Sequence, residues 1–138
     1  MKHWAIDLIG KPFEKGGRGP NGFDCWGLVY WRYLTHYGIK LPDYFIEPED
    51  HLAVCKALKE GEMTPDRAWI HIETPIDNCG VGLSHNYIFH HVGLWTNAGG
   101  GFVLHAHPKS GVIAQSVRAL KAQGWSRIEF YRHKDVSC

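Results

Sequence analysis

The sequence lacks every feature that would place it in a membrane or against nucleic acid. No apolar run approaches the roughly 20 residues of a membrane-spanning helix. No block of like charge occurs, and the formal net charge is only +1. Neither a nucleic-acid nor an anionic-membrane partner is therefore expected. There is no C-x-x-C pair, and the four cysteines, Cys25, Cys55, Cys79 and Cys138, are too scattered to read as a disulfide framework. Internal repeats and low-complexity tracts are absent. The start, Met1-Lys2-His3-Trp4-Ala5-Ile6-Asp7, carries an early acid and no long apolar stretch, so it does not read as a secretory signal. Synthesis in the cytoplasm is expected. Work outside the cell would then require lysis, a dedicated machine or delivery as part of a particle.

What is present fits one globular domain over residues 1–138. Hydrophobic residues make up 44% and charged residues 21%, ordinary values for a chain that buries its own core. Trp4, Ile6, Leu8 and Ile9 predict a short first helix ended by Gly10-Lys11-Pro12. A glycine-rich loop follows, Gly16-Gly17-Arg18-Gly19-Pro20-Asn21-Gly22. Asp24 is placed to cap a helix from about Cys25 to Tyr37. Leu28, Trp31 and Leu34 form its apolar stripe, and Gly38 stops it. Another helix is expected from about Pro48 to Glu60.

After Pro65 the hydrophobic period changes to two. Strands are expected at 68–73, 90–96, 102–107, 112–117 and 125–133, with a helical turn at 118–122. The stretch from about Asp43 to Ser84 reads largely as an added helix and loop, and Cys79 falls in a loop. Helices followed by an antiparallel sheet make the α+β pattern.

Cys25 stands out as a candidate nucleophile. It follows the glycine loop and opens a helix with apolar bulk behind it. A thiol attacks as its thiolate, and unpaired N–H groups with the positive end of a helix dipole favour that ion. The same N–H groups can hold an oxyanion. The competing reading is an inert buried cysteine. A nucleophilic thiol also needs a base, and histidine fits near neutral pH. If the turn Asn97-Ala98-Gly99-Gly100-Gly101 centres on Ala98, His91 faces His105 on one side of a hairpin. Three glycines leave the register open, and a two-residue shift pairs His91 with His107 instead. His91, His105 and His107 could also compose a zinc site. No carboxylate or cysteine accompanies them at familiar ligand spacing.

These residues resemble a known family. Pro12-Phe13-Glu14-Lys15-Gly16-Gly17, Gly22-Phe23-Asp24-Cys25-Trp26-Gly27-Leu28-Val29, His91-Val92-Gly93-Leu94-Trp95 and Leu104-His105-Ala106 are similar to blocks of the NlpC-type cell-wall cysteine peptidases. The resemblance spans about residues 3–131. It implies a papain-like α+β fold, Cys25 as nucleophile, His91 as base and His105 as the orienting third residue. It implies no metal and no other cofactor. The substrate implied is a peptide bond in the stem peptides of bacterial peptidoglycan. It also favours His105 over His107 as the partner of His91.

Two departures from the usual pattern stand beside Cys25. Trp26 follows it where serine is common, and Asp-Cys-Trp-Gly-Leu-Val resembles a branch found in phage tail-tip and prophage proteins. Phe13 stands where many members carry a tyrosine whose hydroxyl helps the oxyanion. Phe13, Gly17, Asp24 and Trp26 are therefore the expected substrate-binding and oxyanion residues, with the Cys25 N–H the main donor. Other tail proteins are expected partners. The rival readings are a tail-assembly component with little or no chemistry, and an acyltransferase or thioesterase using the same three residues.

Overall fold

The computed structural model describes residues 4–42, 69–85 and 91–136. The helix expected at about 48–60, Cys55 and Cys138 lie outside them. The elements in chain order are α1 (Trp4–Leu8), α2 (Cys25–Arg32), β1 (Trp69–Ile72), β2 (Gly80–Ser84), β3 (His91–Thr96), β4 (Phe102–His107), β5 (Gly111–Gln115), α3 (Val117–Ala122) and β6 (Arg127–His133). The fold is α+β. Its sheet runs β1-β6-β2-β3-β4-β5, with every neighbouring pair antiparallel. None of the described helices is long and apolar enough to cross a membrane.

The start and end of α2 follow from two residues. Asp24 sits in extended backbone and its carboxylate accepts from the Gly27 N–H at 2.6 Å. That satisfies a donor which the first helical turn leaves unpaired. The helix widens into a π-helical turn over Tyr33–Tyr37. Gly38 then takes φ 67°, a left-handed conformation that suits glycine. The expected span of 25–37 is therefore observed, as two continuous helical pieces.

Each face of the sheet has its own cover. Leu28 and Val29 of α2 pack with Val92, Leu94, Leu104, Ala106 and Val112. Leu28 is completely buried, and a side chain of that kind stabilises the fold by about 1.5–3 kcal/mol. On the opposite face Leu120 of α3 joins Val81, Leu83 and Val103, flanked by Trp95, Trp125, Ile128 and Phe130.

Three expectations need correction. Residues 80–84, read as loop, form β2, a buried strand between β6 and β3. Gly80 and Gly82 lower its apparent strand character. Glycine fits at position 80 because a Cβ there would stand only 3.3 Å from the Trp69 ring. The β3–β4 register also differs from the one centred on Ala98. Leu94 pairs with Leu104, Trp95 with Val103 and Thr96 with Phe102, a shift of two residues. Finally, Trp125 precedes β6 rather than starting it. Gly124, at φ 100°, ends α3, and the Trp125 N–H turns back to the Leu120 carbonyl at 3.1 Å.

Candidate active site

Cys25 is the first residue of α2 and is 6% exposed. The backbone N–H groups around it, those of Val92, Trp26 and Cys25 itself, favour the thiolate. The thiol packs in the same core cluster as Val92 of β3, the residue next to His91 in sequence. Burial nevertheless outweighs these donors, and the Asp24 carboxylate adds to its effect, pushing the thiol up to about 12. The helix start was expected to lower it. Instead the resting thiol keeps its proton at neutral pH, so attack requires a base.

The histidines meet as a pair. His91 Nε2 lies 2.9 Å from His105 Nδ1, with the rings nearly perpendicular at 85°. Continuing the observed register puts Gly93, not His91, opposite His105. The two rings therefore meet diagonally. A Cβ at Gly93 would stand 3.2 Å from the His105 Cβ, so a side chain there would crowd the base of the His105 ring. His107 is engaged elsewhere. Its Nδ1 accepts from the backbone N–H groups of Lys109 and Ser110 at 3.1 and 3.3 Å in the β4–β5 turn.

His105 is 1% exposed. Burial holds its proton affinity below the ordinary histidine value, and the charge of His107 acts in the same direction. Its second ring nitrogen, Nε2, lies 2.7 Å from Gln115 Oε1. Both His105 nitrogens are thus taken by protein partners. These contacts fix the ring, and its two nitrogens do not converge with other ligands on one point as a zinc site requires.

Two residues at this site went unrecognised from sequence. Gln115 ends β5 and touches His105 from the neighbouring strand. Trp125 lies between two imidazoles. It stacks on His91 at 5.4 Å between centroids and 21° between planes, and on His85 at 4.0 Å and 16°. His85 Nδ1 also reaches the Gly124 carbonyl at 2.8 Å, which holds the stack together. The Trp125 stacks join segments far apart in the chain, and the Gln115 contact depends on the register of β4 against β5, so no local spacing announces them.

The residues expected to bind substrate have structural occupations. The Asp24 carboxylate takes the Gly27 and Gly16 N–H groups and pairs with Arg18 at 2.9 Å. Gly17 is buried; its N–H donates to the Glu14 carbonyl, and its own carbonyl accepts from Asp24 and Arg18. A Cβ at Gly27 would run into that carbonyl, so the loop lies directly on the first turn of α2. Trp26 is buried and its indole N–H donates to the Pro42 carbonyl at 2.8 Å. Phe13 bridges to Phe23 and packs against the core. Together these contacts fix the glycine loop as a mount for Cys25.

A thiol at a helix start, set against the strand that carries a paired histidine, agrees with the family comparison. The sequence pattern described as the NlpC/P60 family matches residues 10–130. The chain belongs to the NlpC/P60 family. Its fold matches the solved NlpC/p60 domain of the peptidoglycan hydrolase SagA, with a TM-score of 0.60. That match covers 97% of this chain and 92% of the other at 21% identity, a likeness of fold. The papain-like α+β architecture implied by the sequence motifs is thereby observed. Proteins named "probable endopeptidase" from Mycobacterium tuberculosis and Mycobacterium bovis are 47% identical over 38 residues. The matched segment is 28% of this chain and 10% of the length of those relatives.

Proposed function

We propose that this NlpC/P60 protein is a cysteine endopeptidase that hydrolyses a peptide bond in the stem peptides of bacterial peptidoglycan. The observation that carries the proposal is the Cys25 thiol at the start of α2, packed in the core with Val92 of β3, the strand on which the His91 ring meets buried His105. His91 takes the thiol proton as sulfur attacks the substrate carbonyl. The Cys25 N–H receives the oxyanion. His91 returns the proton to the leaving amine, which departs and leaves a thioester. Water then attacks the thioester, and the acid product and free thiol are released. No metal takes part.

Within that function, delivery by a phage or prophage tail is supported by Trp26 in Asp-Cys-Trp-Gly-Leu-Val. Purified protein should release new amino groups from peptidoglycan, and Cys25→Ala should abolish the release. Equal release by both proteins would sink the hydrolase reading. Mass spectrometry of the fragments identifies the bond.

A second reading is a tail component on the same fold with little chemistry. The elevated thiol favours it. A thiol reagent near neutral pH separates the two: His91-dependent labelling of Cys25 supports the enzyme, and slow labelling indifferent to His91→Ala supports the quiet fold.

A further inference from the structure

Three chain segments converge at one end of the sheet. Strand β2 lies between β6 and β3, with Leu83 paired to Ile128 on one side and to His91 on the other. His85, just past the end of β2, is therefore placed beside the turn that leads from α3 into β6 and beside the start of β3. Three rings stack there in the order His85, Trp125, His91, with neighbouring planes 16° and 21° from parallel. The outer contact is the closer one, 4.0 Å between centroids against 5.4 Å. Trp125 is half-buried and His85 is exposed, so dense packing does not by itself fix the stack. A hydrogen bond does. His85 Nδ1 lies 2.8 Å from the Gly124 carbonyl oxygen. That oxygen only accepts, so the proton is on Nδ1. Neutral Nδ1–H imidazole and imidazolium both donate there, and the bond survives titration of His85.

We propose that His85 is a positioning residue that clamps Trp125 flat against His91 and so fixes the tilt of that ring. The inference rests on the hydrolase reading for its consequence in turnover. The clamp itself stands without it. The contact with His105 holds the His91 ring at one edge. An edge contact alone lets a ring tilt about it, and a face contact stops the tilt. Trp125 supplies the face. Its backbone is tied to α3 through the bond from its N–H to the Leu120 carbonyl, but the indole still turns about its own side-chain torsions. With His91 on one face and His85 on the other, the indole is held from both sides. To swing off His91 it has to push His85 away from Gly124 and break the hydrogen bond there. A reacting group misplaced by about 1 Å can cost about a hundredfold in rate. His85 acts through Trp125 and takes no proton in the reaction.

The test is proton NMR of the histidine rings in the intact resting protein, with no substrate, alongside turnover. Protons beneath an indole face are shielded, so wild type should show the His91 ring protons moved upfield. Trp125→Leu should remove that shift and so identify its source. His85→Ala should lose most of the shift and lower kcat by about tenfold with KM little changed. His85→Phe restores a stacking face without the donor and should recover part of both. A wild-type spectrum without the upfield shift overturns the proposal, even if no variant folds. Unaltered His91 shifts in His85→Ala overturn it as well, whatever happens to turnover. Full turnover in His85→Ala with the ring released overturns the positioning role. If the shifts behave as stated but no substrate is cleaved, the hydrolase reading fails and the clamp stands.

Discussion

Gly93 stands opposite His105, and the ring of His91, two residues earlier on the same strand, reaches His105 Nδ1 at 2.9 Å. A methyl group at position 93 would run into the Leu104 carbonyl and crowd the His105 Cβ. Gly93→Ala should therefore spread β3 from β4 at the site. Overpacking of this kind costs about 1–3 kcal/mol. Urea unfolding should show that loss, and hydrolysis should fall further than stability alone explains. Full activity in a folded Gly93→Ala protein would refute the diagonal contact as a working part of the site.

The same hairpin shows what could be read from residues and what could not. Its strands were legible because Val92, Leu94, Leu104 and Ala106 alternate cleanly. Its register was not, because Gly99, Gly100 and Gly101 all take positive φ and a turn so permissive tolerates a two-residue slip without changing faces. The contact between His91 and His105 that the family resemblance implies is present, as a diagonal pairing that the Ala98-centred register does not contain. The span of α2 and the π-helical turn after it was legible from a cap and a stop, whereas the expected stripe held only in part: Leu28 is buried and Leu34 is exposed. Strand β2 was hidden by Gly80 and Gly82, and at position 80 the glycine leaves room for the Trp69 ring. Trp125 stacks on histidines distant in sequence and Gln115 meets His105 across the β4–β5 pair, partnerships that arise only when strands pair.

Asp24 serves the fold and opposes the thiolate, and two substitutions separate these effects. Asp24→Ala removes the cap and leaves buried N–H groups unpaired. It should cost about 2–4 kcal/mol, a lost cap plus one unsatisfied donor. Asp24→Asn keeps a capping oxygen and removes the charge that helps hold the Cys25 thiol up near 12. Alkylation of Cys25 at pH 8–9 should then be faster than in wild type, despite some loss of stability with the Arg18 pair. A slower reaction in Asp24→Asn would mean that the carboxylate helps the thiol ionise.

Acid should destabilise the protein through its buried histidines. Burial holds both His105 and His133 below the ordinary value of 6.5. Gln115 partly offsets this at His105, as Asp135 does at His133. As pH falls below about 6.5 the unfolded chain binds protons that the folded one refuses, so stability declines with falling pH. Above that pH the contribution is fully present. Unfolding midpoints measured from pH 7.5 to 5 should show the decline. His133→Phe, whose ring can take the place beside Trp69 and Tyr33, should make it shallower. A midpoint that does not change with pH in wild type would contradict the assignment.

Trp125 lies face to face with His91, and its π face is positioned to favour the imidazolium that forms when the thiol proton arrives. An aromatic face contributes about 0.5–2 kcal/mol to a nearby cation, a factor of about 2–30 in rate if the contact is stronger in the transition state. Trp125→Leu should keep the apolar packing against Ile128 and Leu120, lower turnover by that factor and leave substrate affinity nearly unchanged. Trp125→Phe should recover part of the loss, because a smaller aromatic face still covers the ring. Equal losses in Trp125→Leu and Trp125→Phe would assign Trp125 to holding the ring in place instead.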